Sequence, residues 1–231
     1  MEETTQSTPS KPTTIAILGG TGELGTGLAL RWLKAGHNIV IGSRTAEKAV
    51  EGVAKLQAVL ADRGIESPGL EGLDNLSAAE KGTIAVLTVP FAHQAATLAD
   101  VAPALQGKIL IDVTVPLVPP KVARVQLPEA GSAGQIAQEI LGEEVVVVTA
   151  FQNVAAHHLQ AEGDIPCDVL VCGNKKVARE QVVALVEDAG MRGIHAGMLP
   201  NSAAADAITS VLININKQYG VHAGIRITGI D

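Results

Sequence analysis

The sequence predicts an α/β fold, doubly wound on a mostly parallel sheet, and three observations predict it. Short β-branched runs alternate with helix-length segments from about residue 13 onward, the rhythm of strand–helix–strand units. The runs are apolar at consecutive rather than alternate positions, as strands covered by helices on both faces must be. The first run opens straight into a glycine-rich turn at the mouth of a helix. At 231 residues the chain holds one large or two small domains and needs no disulfide or metal staple.

Residues 13–19, TTIAILG, form the first strand, and the helix after it covers 23–36 with Leu24, Leu28 and Leu33 on one stripe. HNIVIG (37–42) is the second strand, and 45–64 is an amphipathic helix ending at Gly64. The stretch 65–82 reads as a loop with one short helix. TIAVLTVP (83–90) and KILIDVTVP (108–116) are further buried strands, each stopped by proline at the same edge and separated by a helix over 93–107. Residues 117–134 are too long and proline-rich for an ordinary connection and mark a candidate binding loop. A short helix (135–142) leads to EEVVVVTAFQ (143–152), the most β-prone run. From about residue 151 the rhythm loosens: NVAAHHLQA, the strand CDVLVCG (167–173), a helix over 175–190, a short strand over 191–197 and a long helix over 201–220. The chain therefore divides into a disordered tail (1–12), a nucleotide-binding domain (13–150) and a small C-terminal α/β lobe (151–231).

Composition excludes several classes. Only Trp32, Phe91, Phe151 and Tyr219 are aromatic, too few for the stacking platforms that hold single-stranded nucleic acid. A net charge of -7 argues against any polyanion-binding face, though not against a local phosphate site. No apolar run approaches the length that spans a bilayer, and the N-terminus has no apolar signal core, so a cytoplasmic protein with no membrane partner is expected. Cys167 and Cys172, five apart in one strand, point to opposite faces and read as free thiols in a reducing compartment.

Gly20, Gly22 and Gly25 make G-x-G-x-x-G between the first strand and its helix, the dinucleotide-binding fingerprint of a Rossmann-type unit. The first glycine permits the turn, the second lets main chain approach a pyrophosphate, and the third lets helix pack on strand. The helix N-terminus adds unpaired N–H groups and partial positive charge. An NAD site would place Asp or Glu at the end of the second strand; this chain has Gly42, Ser43 and Arg44 there, with Lys48 in reach of the same anion. A planar guanidinium fork, a hydroxyl and an ammonium suit a 2′-phosphate, so NADP is favoured. The competing reading makes Arg44 and Lys48 ordinary solvated charges that pair with Glu47.

The strand ends at 88–90, 114–118 and 149–153 read as apolar or neutral, with no general acid for an alcohol or carbonyl. Tyr219 lacks a lysine four residues on. His93, in the first turn of the helix after Pro90, is the best placed histidine; His157 and His158 are weaker candidates, His37 is a turn residue, and His195 has no evident partner. No metal-ligand spacing is present, so no metal is expected. Hydride transfer between two stacked heterocycles needs close approach more than acid–base help, which points to a second redox coenzyme.

The run IAILGGTGELGTGLALRWLKAGHNIVIGSRTAEKA, with AVLTVPFAH, IDVTVPLVP and HAGMLPNSAAADAITSVLININK, resembles the F420-dependent NADP reductases over most of residues 13–228. Such enzymes pass a hydride between NADP and the 5-deazaflavin coenzyme F420. The resemblance implies that Thr21, Gly22, Glu23 and Leu24 hold the pyrophosphate, and that Ser43, Arg44 and Lys48 hold the 2′-phosphate. It implies that Val89 and His93 flank the ribose and nicotinamide, and that Val118 and Ala156 wall the nicotinamide and deazaflavin. The family commonly has His-Thr where this chain has Gln152-Asn153, and Leu near the deazaflavin where it has Ala223. It also implies a homodimer or homotetramer. Two other readings stand at this point: an NADP-dependent β-hydroxyacid dehydrogenase or imine reductase, supported by Asn214 and Lys217 on the last helix, and a non-catalytic NADP sensor.

Overall fold

The computed structural model describes residues 11–67 and 69–230, so the tail expected over 1–12 falls, but for Lys11 and Pro12, outside the described residues. Its strands are β1 (Thr14–Leu18), β2 (Asn38–Ser43), β3 (Leu70–Asp74), β4 (Ile84–Leu87), β5 (Ile109–Asp112), β6 (Val146–Thr149), β7 (Asp168–Gly173) and β8 (Arg192–Gly197). They form one 8-stranded sheet in the order β3-β2-β1-β4-β5-β6-β7-β8. The helices are α1 (Glu23–Lys34), α2 (Ala46–Asp62), α3 (Asn75–Lys81), α4 (Phe91–Leu105), α5 (Ala133–Leu141), α6 (Ala156–Gln160), α7 (Lys176–Asp188) and α8 (Ser202–Tyr219).

Alternate residues of the buried strands feed different cores. Ile15 and Ile17 join Ile39, Ile41, Leu28, Trp32 and Leu185 beneath α1, α2 and α7. Ala16 and Leu18 join Val40, Leu98, Val101 and Leu141 beneath α3, α4 and α5. A strand whose two faces are both dry must be apolar throughout, which is the pattern TIAIL carries.

The stretch 65–82, expected as loop with a short helix, contains an edge strand as well as α3. β3 pairs parallel with β2 from Ile39↔Leu70 to Ser43↔Asp74. Its sequence, LEGLD, lacks β-branched residues, and the glycine has a packing reason: a Cβ on Gly72 would lie 2.7 Å from the Ala49 carbonyl carbon, so only glycine lets α2 lie this close.

The segment expected as a smaller lobe extends the same sheet. β7 runs antiparallel to β6, with Val148↔Gly173 and Thr149↔Cys172 in register, whereas β8 is parallel to β7. Because the C-terminal ends of β6 and β7 are paired, the first half of β7 projects beyond the edge at which the parallel strands stop. Asn153 Nδ2 ties that projection to the chain leaving β6, donating to the Asp168 carbonyl at 2.7 Å. The final helix ends on Gly220 in the left-handed conformation (φ 66°), and the chain then folds back along β7, where Asp168 N donates to Ile225 O at 2.8 Å.

Trp32 locks α1 to this half of the molecule. Its Nε1 donates to Leu185 O on α7 at 2.8 Å, and its ring stands edge-on to Phe151 at 5.9 Å and 79°. Phe151 itself has φ 70°, an uncommon backbone for a bulky residue. Both cysteines are buried free thiols. Among the described residues no helix is long and apolar enough to cross a membrane.

Candidate functional site

The glycine turn is tight for reasons of packing at two of its three motif positions. A Cβ on Gly20 would meet Ile17 O at 2.6 Å, and one on Gly25 would meet Gly20 Cα at 2.6 Å. Gly20 N donates to Ile17 O and Gly42 O at 3.1 and 2.9 Å, closing the turn onto β1 and β2. Gly22 differs: a Cβ there would meet nothing within 4 Å. The protein does not need glycine at this position, whereas a ligand pressed against the main chain would. Gly22 is the N-cap of α1 and supplies no side-chain cap, while α2, α3 and α5 are capped by Thr45, Asp74 and Ser132. The first N–H groups of α1 are thus left to an incoming acceptor, with Thr21, Gly22 and Glu23 exposed and Leu24 half-buried beside them.

Two side chains secure this turn: Val89, which the resemblance implies, and Asn75, which went unread in the sequence. Gly19, before the motif, has φ 70°, and a Cβ on it would lie 2.4 Å from Val89 Cγ1, which places Val89 directly against the turn. Asn75 opens α3 and accepts from Gly19 N through Oδ1 at 3.1 Å. A Cβ on Gly42 would lie 2.8 Å from that same oxygen. β3 therefore has a function in the site: it carries Asn75 to the turn.

Ser43, Arg44 and His93 line one cleft of about 370 Å³, with Asp74, Asn75 and Thr97. Ser43 is buried at the end of β2, Arg44 is exposed just before α2, and Lys48 is exposed in its first turn. Glu47 does not neutralise them. Its carboxyl is held below the usual range by its own main-chain N–H and the Thr45 hydroxyl. Among the described residues the ion pairs are His37–Asp188, Lys81–Glu71, Lys176–Glu180 and those of Asp168 with Arg192 and Arg226, so Arg44 and Lys48 face solvent unpaired. His93 stands in the first turn of α4 and opens to the same cleft as the basic fork. His37 is buried, its Nε2 2.9 Å from Asp188 Oδ2 and its Nδ1 accepting from Thr13 N at 3.2 Å.

The remaining predicted residues lie apart from this cleft. Ala223 lines a cavity of about 210 Å³ with Asn153, Ala155, His158, Cys167 and His222, at the projecting end of β7. Ala156 stands between Ala155 and His158 at the start of α6. Val118 lines neither cavity and is 47% exposed on the loop after β5. A larger cavity, about 480 Å³, lies among Thr13, Thr83, Gly107 and Lys108 at the starts of the parallel strands, the edge opposite the glycine turn. It has no helix N-terminus, and ligands of open α/β sheets bind at the other edge.

The strand ends are less neutral than their sequence suggests. Asp112 is completely buried at the end of β5; its Oδ1 accepts from Thr114 N and Oγ1 at 2.9 and 2.7 Å, and its Oδ2 from Gln94 Nε2 at 2.7 Å. Burial raises its carboxyl to about 6 against the pull of those donors. Asp206, 2% exposed on α8, accepts from Ala133 N at 2.9 Å through Oδ2, while Oδ1 has no partner. Burial first, and the charge of Asp112 second, raise it to about 7. Ser202 Oγ donates to Ser132 Oγ at 2.7 Å beside them. Together these bonds pin the far end of the 113–132 loop to α8. Within KILIDVTVP, Asp112 passes for a strand residue, and its partner on α8 is distant in sequence.

A carboxyl raised by folding takes up a proton on folding. Its contribution is fully present below the unfolded value near 4 and is lost as the pH rises through about 7. Relative to the parent, Asp206→Asn is expected to gain stability between pH 5 and 8, by roughly 2–3 kcal/mol, or roughly 5–10 °C in melting temperature. A difference in melting temperature that does not change with pH would show that Asp206 is ionised in the fold.

The model of the family described as NADP oxidoreductase, coenzyme F420-dependent, matches residues 14–116. The F420-dependent NADP reductase of Methanocaldococcus jannaschii is 40% identical over 223 residues, covering 94% of this chain and 99% of its own. That of Methanothermobacter marburgensis is 39% identical over 223 residues, covering 94% and 98%. A crystal structure described as a putative F420-dependent NADP reductase from Arthrobacter sp. FB24 superposes with a TM-score of 0.78 at 24% identity, covering 94% of this chain and 99% of that one, which bears on the fold. With an uncapped glycine turn, an unpaired basic fork and relatives of this identity along nearly its whole length, the chain belongs to the F420-dependent NADP reductase family.

Proposed function

We propose that this protein moves a hydride between NADP(H) and the deazaflavin coenzyme F420, and that it does so by holding the two against each other along the strand ends. The redox chemistry is supplied by the nicotinamide and deazaflavin rings themselves. What the chain supplies is position. Main-chain N–H groups of Thr21, Gly22, Glu23 and Leu24 receive the pyrophosphate at the start of α1, and Ser43, Arg44 and Lys48 receive the 2′-phosphate at the start of α2. Val89 seats the dinucleotide against the turn, and His93 closes the side of the cleft that Arg44 opens. The apolar slot for the second ring is the cavity that Ala223 lines at the projecting end of β7, with Ala156 beside it and the exposed Val118 closing over it from the long loop when the ring is bound. The observation that carries this reading is Gly22, whose missing side chain serves no contact within the protein.

The test is direct: purified protein is mixed with NADPH and F420, and loss of the deazaflavin's visible absorbance is followed. Turnover of a 3-hydroxyacid or cyclic imine without bleaching would move the protein to a dehydrogenase or imine reductase reading. Nucleotide binding with no turnover of any acceptor would leave a sensor. Val118→Trp, which fills the slot from the exposed loop, is expected to raise the apparent KM for F420 at least about tenfold while leaving the NADPH dissociation constant unchanged. Unaltered KM values in that variant would place the second ring elsewhere. Exposed apolar side chains on α8 and the segment after it, Val211, Tyr219, Val221 and Ile230, support self-association of the chain. The two buried thiols support a reducing, intracellular setting.

A further inference from the structure

Three imidazoles meet at the edge of the cavity that holds Ala155 and Ala223. His157 and His158 are consecutive on α6, and His222 comes from the segment after α8. His157 and His222 stack with centroids 4.7 Å apart and planes 25° from parallel; His158 stands edge-on to His222 at 5.8 Å and 83°. His158 Nε2 donates to the His222 carbonyl at 2.7 Å, which fixes the orientation of that ring.

Both segments that bring the rings together are fixed from behind. The Arg31 guanidinium, on α1, donates to the carbonyls of His158, Leu159, Ala161 and Gly163 at 3.1, 3.0, 2.6 and 2.6 Å, so the end of α6 is held and capped by one buried cation. Arg63 Nη2 adds a bond to Gln160 O at 2.9 Å. On the other side, Ala223 N donates to Asn216 Oδ1 at 2.7 Å, and Ile227 N to Asp168 Oδ2 at 2.6 Å. The cluster is a preformed surface with little ordering left to do on binding.

Among the described residues the cluster itself holds no carboxylate partner. The charged and titratable groups around it are His157 and His158 on α6, His222 and Arg226 on the returning segment, Cys167 and Asp168 at β7, and, behind, Arg31 and Arg63 with the acids Glu162 and Asp164 on their side of the chain. Asp168 is spent on Arg192, through bonds of 2.9 and 2.7 Å, and Arg226 lies 4.0 Å from it with a side chain 61% exposed. Burial pushes the Cys167 thiol up, so it adds no negative charge. Among the described residues the histidine–carboxylate ion pair is His37–Asp188, on another part of the surface, and no group of His, Cys, Asp and Glu has the makings of a metal site. On a chain of net charge -7, such a patch is where an acidic ligand would be met.

We propose that His157, His158 and His222 form an anion clasp at the mouth of the deazaflavin pocket, holding the phosphate and carboxylate side chain of the coenzyme rather than its ring. This rests on the reading of Ala156 and Ala223 as walls of that pocket. The clasp makes this chain a reader of the side chain's charge, because three imidazoles with ring N–H donors converge on one edge of the cavity, with the exposed Arg226 guanidinium on the same returning segment.

Equilibrium binding separates the clasp from the wall. The fluorescence of F420, and of the uncharged deazaflavin core lacking the phosphate and glutamyl groups, is titrated with the parent protein and with the double variant His157→Gln/His222→Gln at one fixed pH. In the parent, F420 is expected to bind more tightly than the core. In the double variant that ratio is expected to shrink about fivefold to tenfold; a separate His158→Gln variant, whose amide can still donate to the His222 carbonyl, is expected to shrink it in part. Equal weakening of F420 and core would mean that the rings only pack the wall, and an unchanged ratio would mean that the side chain leaves by another route; either overturns the clasp. A parent that binds F420 with the predicted ratio yet never bleaches it with NADPH overturns the proposed reaction and leaves the clasp standing. A parent that binds neither compound overturns both.

Discussion

Gly22→Val is expected to weaken NADPH binding by more than about a hundredfold, while the melting temperature stays within about 2 °C of the parent. The two outcomes separate because the position is asymmetric. A side chain on Gly22 meets no protein atom within 4 Å, and its backbone, at φ -78° and ψ 169°, is one that valine adopts readily. The added methyl groups therefore disturb nothing in the fold. They stand instead where the main chain must come within hydrogen-bond distance of a pyrophosphate, so the ligand is displaced from the first N–H groups of α1. Gly25→Ala is the contrasting control: its Cβ would sit 2.6 Å from Gly20 Cα, and stability should fall together with binding. Titration of NADPH beside a thermal melt reads both quantities. Parent-like affinity in Gly22→Val would remove the pyrophosphate from this turn.

Arg44→Ala is expected to raise the dissociation constant for NADPH tenfold to a hundredfold and to leave that for NADH nearly unchanged. A charge-assisted bond to a phosphate contributes about 1.5–3 kcal/mol, and here it is not offset by the loss of an internal partner, because Glu47 is occupied at the start of α2. The local field also favours the anion: Arg44 and Lys48 flank the first turn of α2, where a helix N-terminus adds its own partial positive charge. Equal losses for the two nucleotides would return Arg44 to the status of a solvated surface charge. A loss that disappears at high salt for NADPH alone would still fit, since an exposed ion pair is screened.

The parts of this site that could be read from the sequence are those whose chemistry is local. Gly20 and Gly25 declare a turn because each answers a steric demand within a few residues, Gly22 completes the motif without one, and Ser43-Arg44 declares a phosphate because the fork follows directly on β2. β3 was invisible for the opposite reason. LEGLD has neither β-branched residues nor alternation, and it becomes a strand only because β2 offers a parallel edge and α2 presses on Gly72. With β3 went Asn75, the residue that secures Gly19. Asp112 and Asp206 were hidden in the same way: one is embedded in an apolar run, the other lies on a helix face, and only the packing of α8 on α5 makes them neighbours. The reversal of β7 was equally unreadable, since CDVLVCG is as good a parallel strand as an antiparallel one. The resemblance to a known family supplied Val118, Ala156 and Ala223, which no periodicity marks.

Phe151 couples the pocket to a place far from any ligand. Its left-handed backbone costs about 1–2 kcal/mol, and one contact that helps hold it there, beside its burial in the core, is the ring of Trp32, worth about 0.5–1.5 kcal/mol beyond simple burial. Gln152, Asn153 and the start of α6 hang directly from that residue. Aromatic identity at position 32 is therefore felt at one remove from any ligand: a smaller side chain there is expected to loosen the backbone at Phe151, with no residue lining either cavity altered.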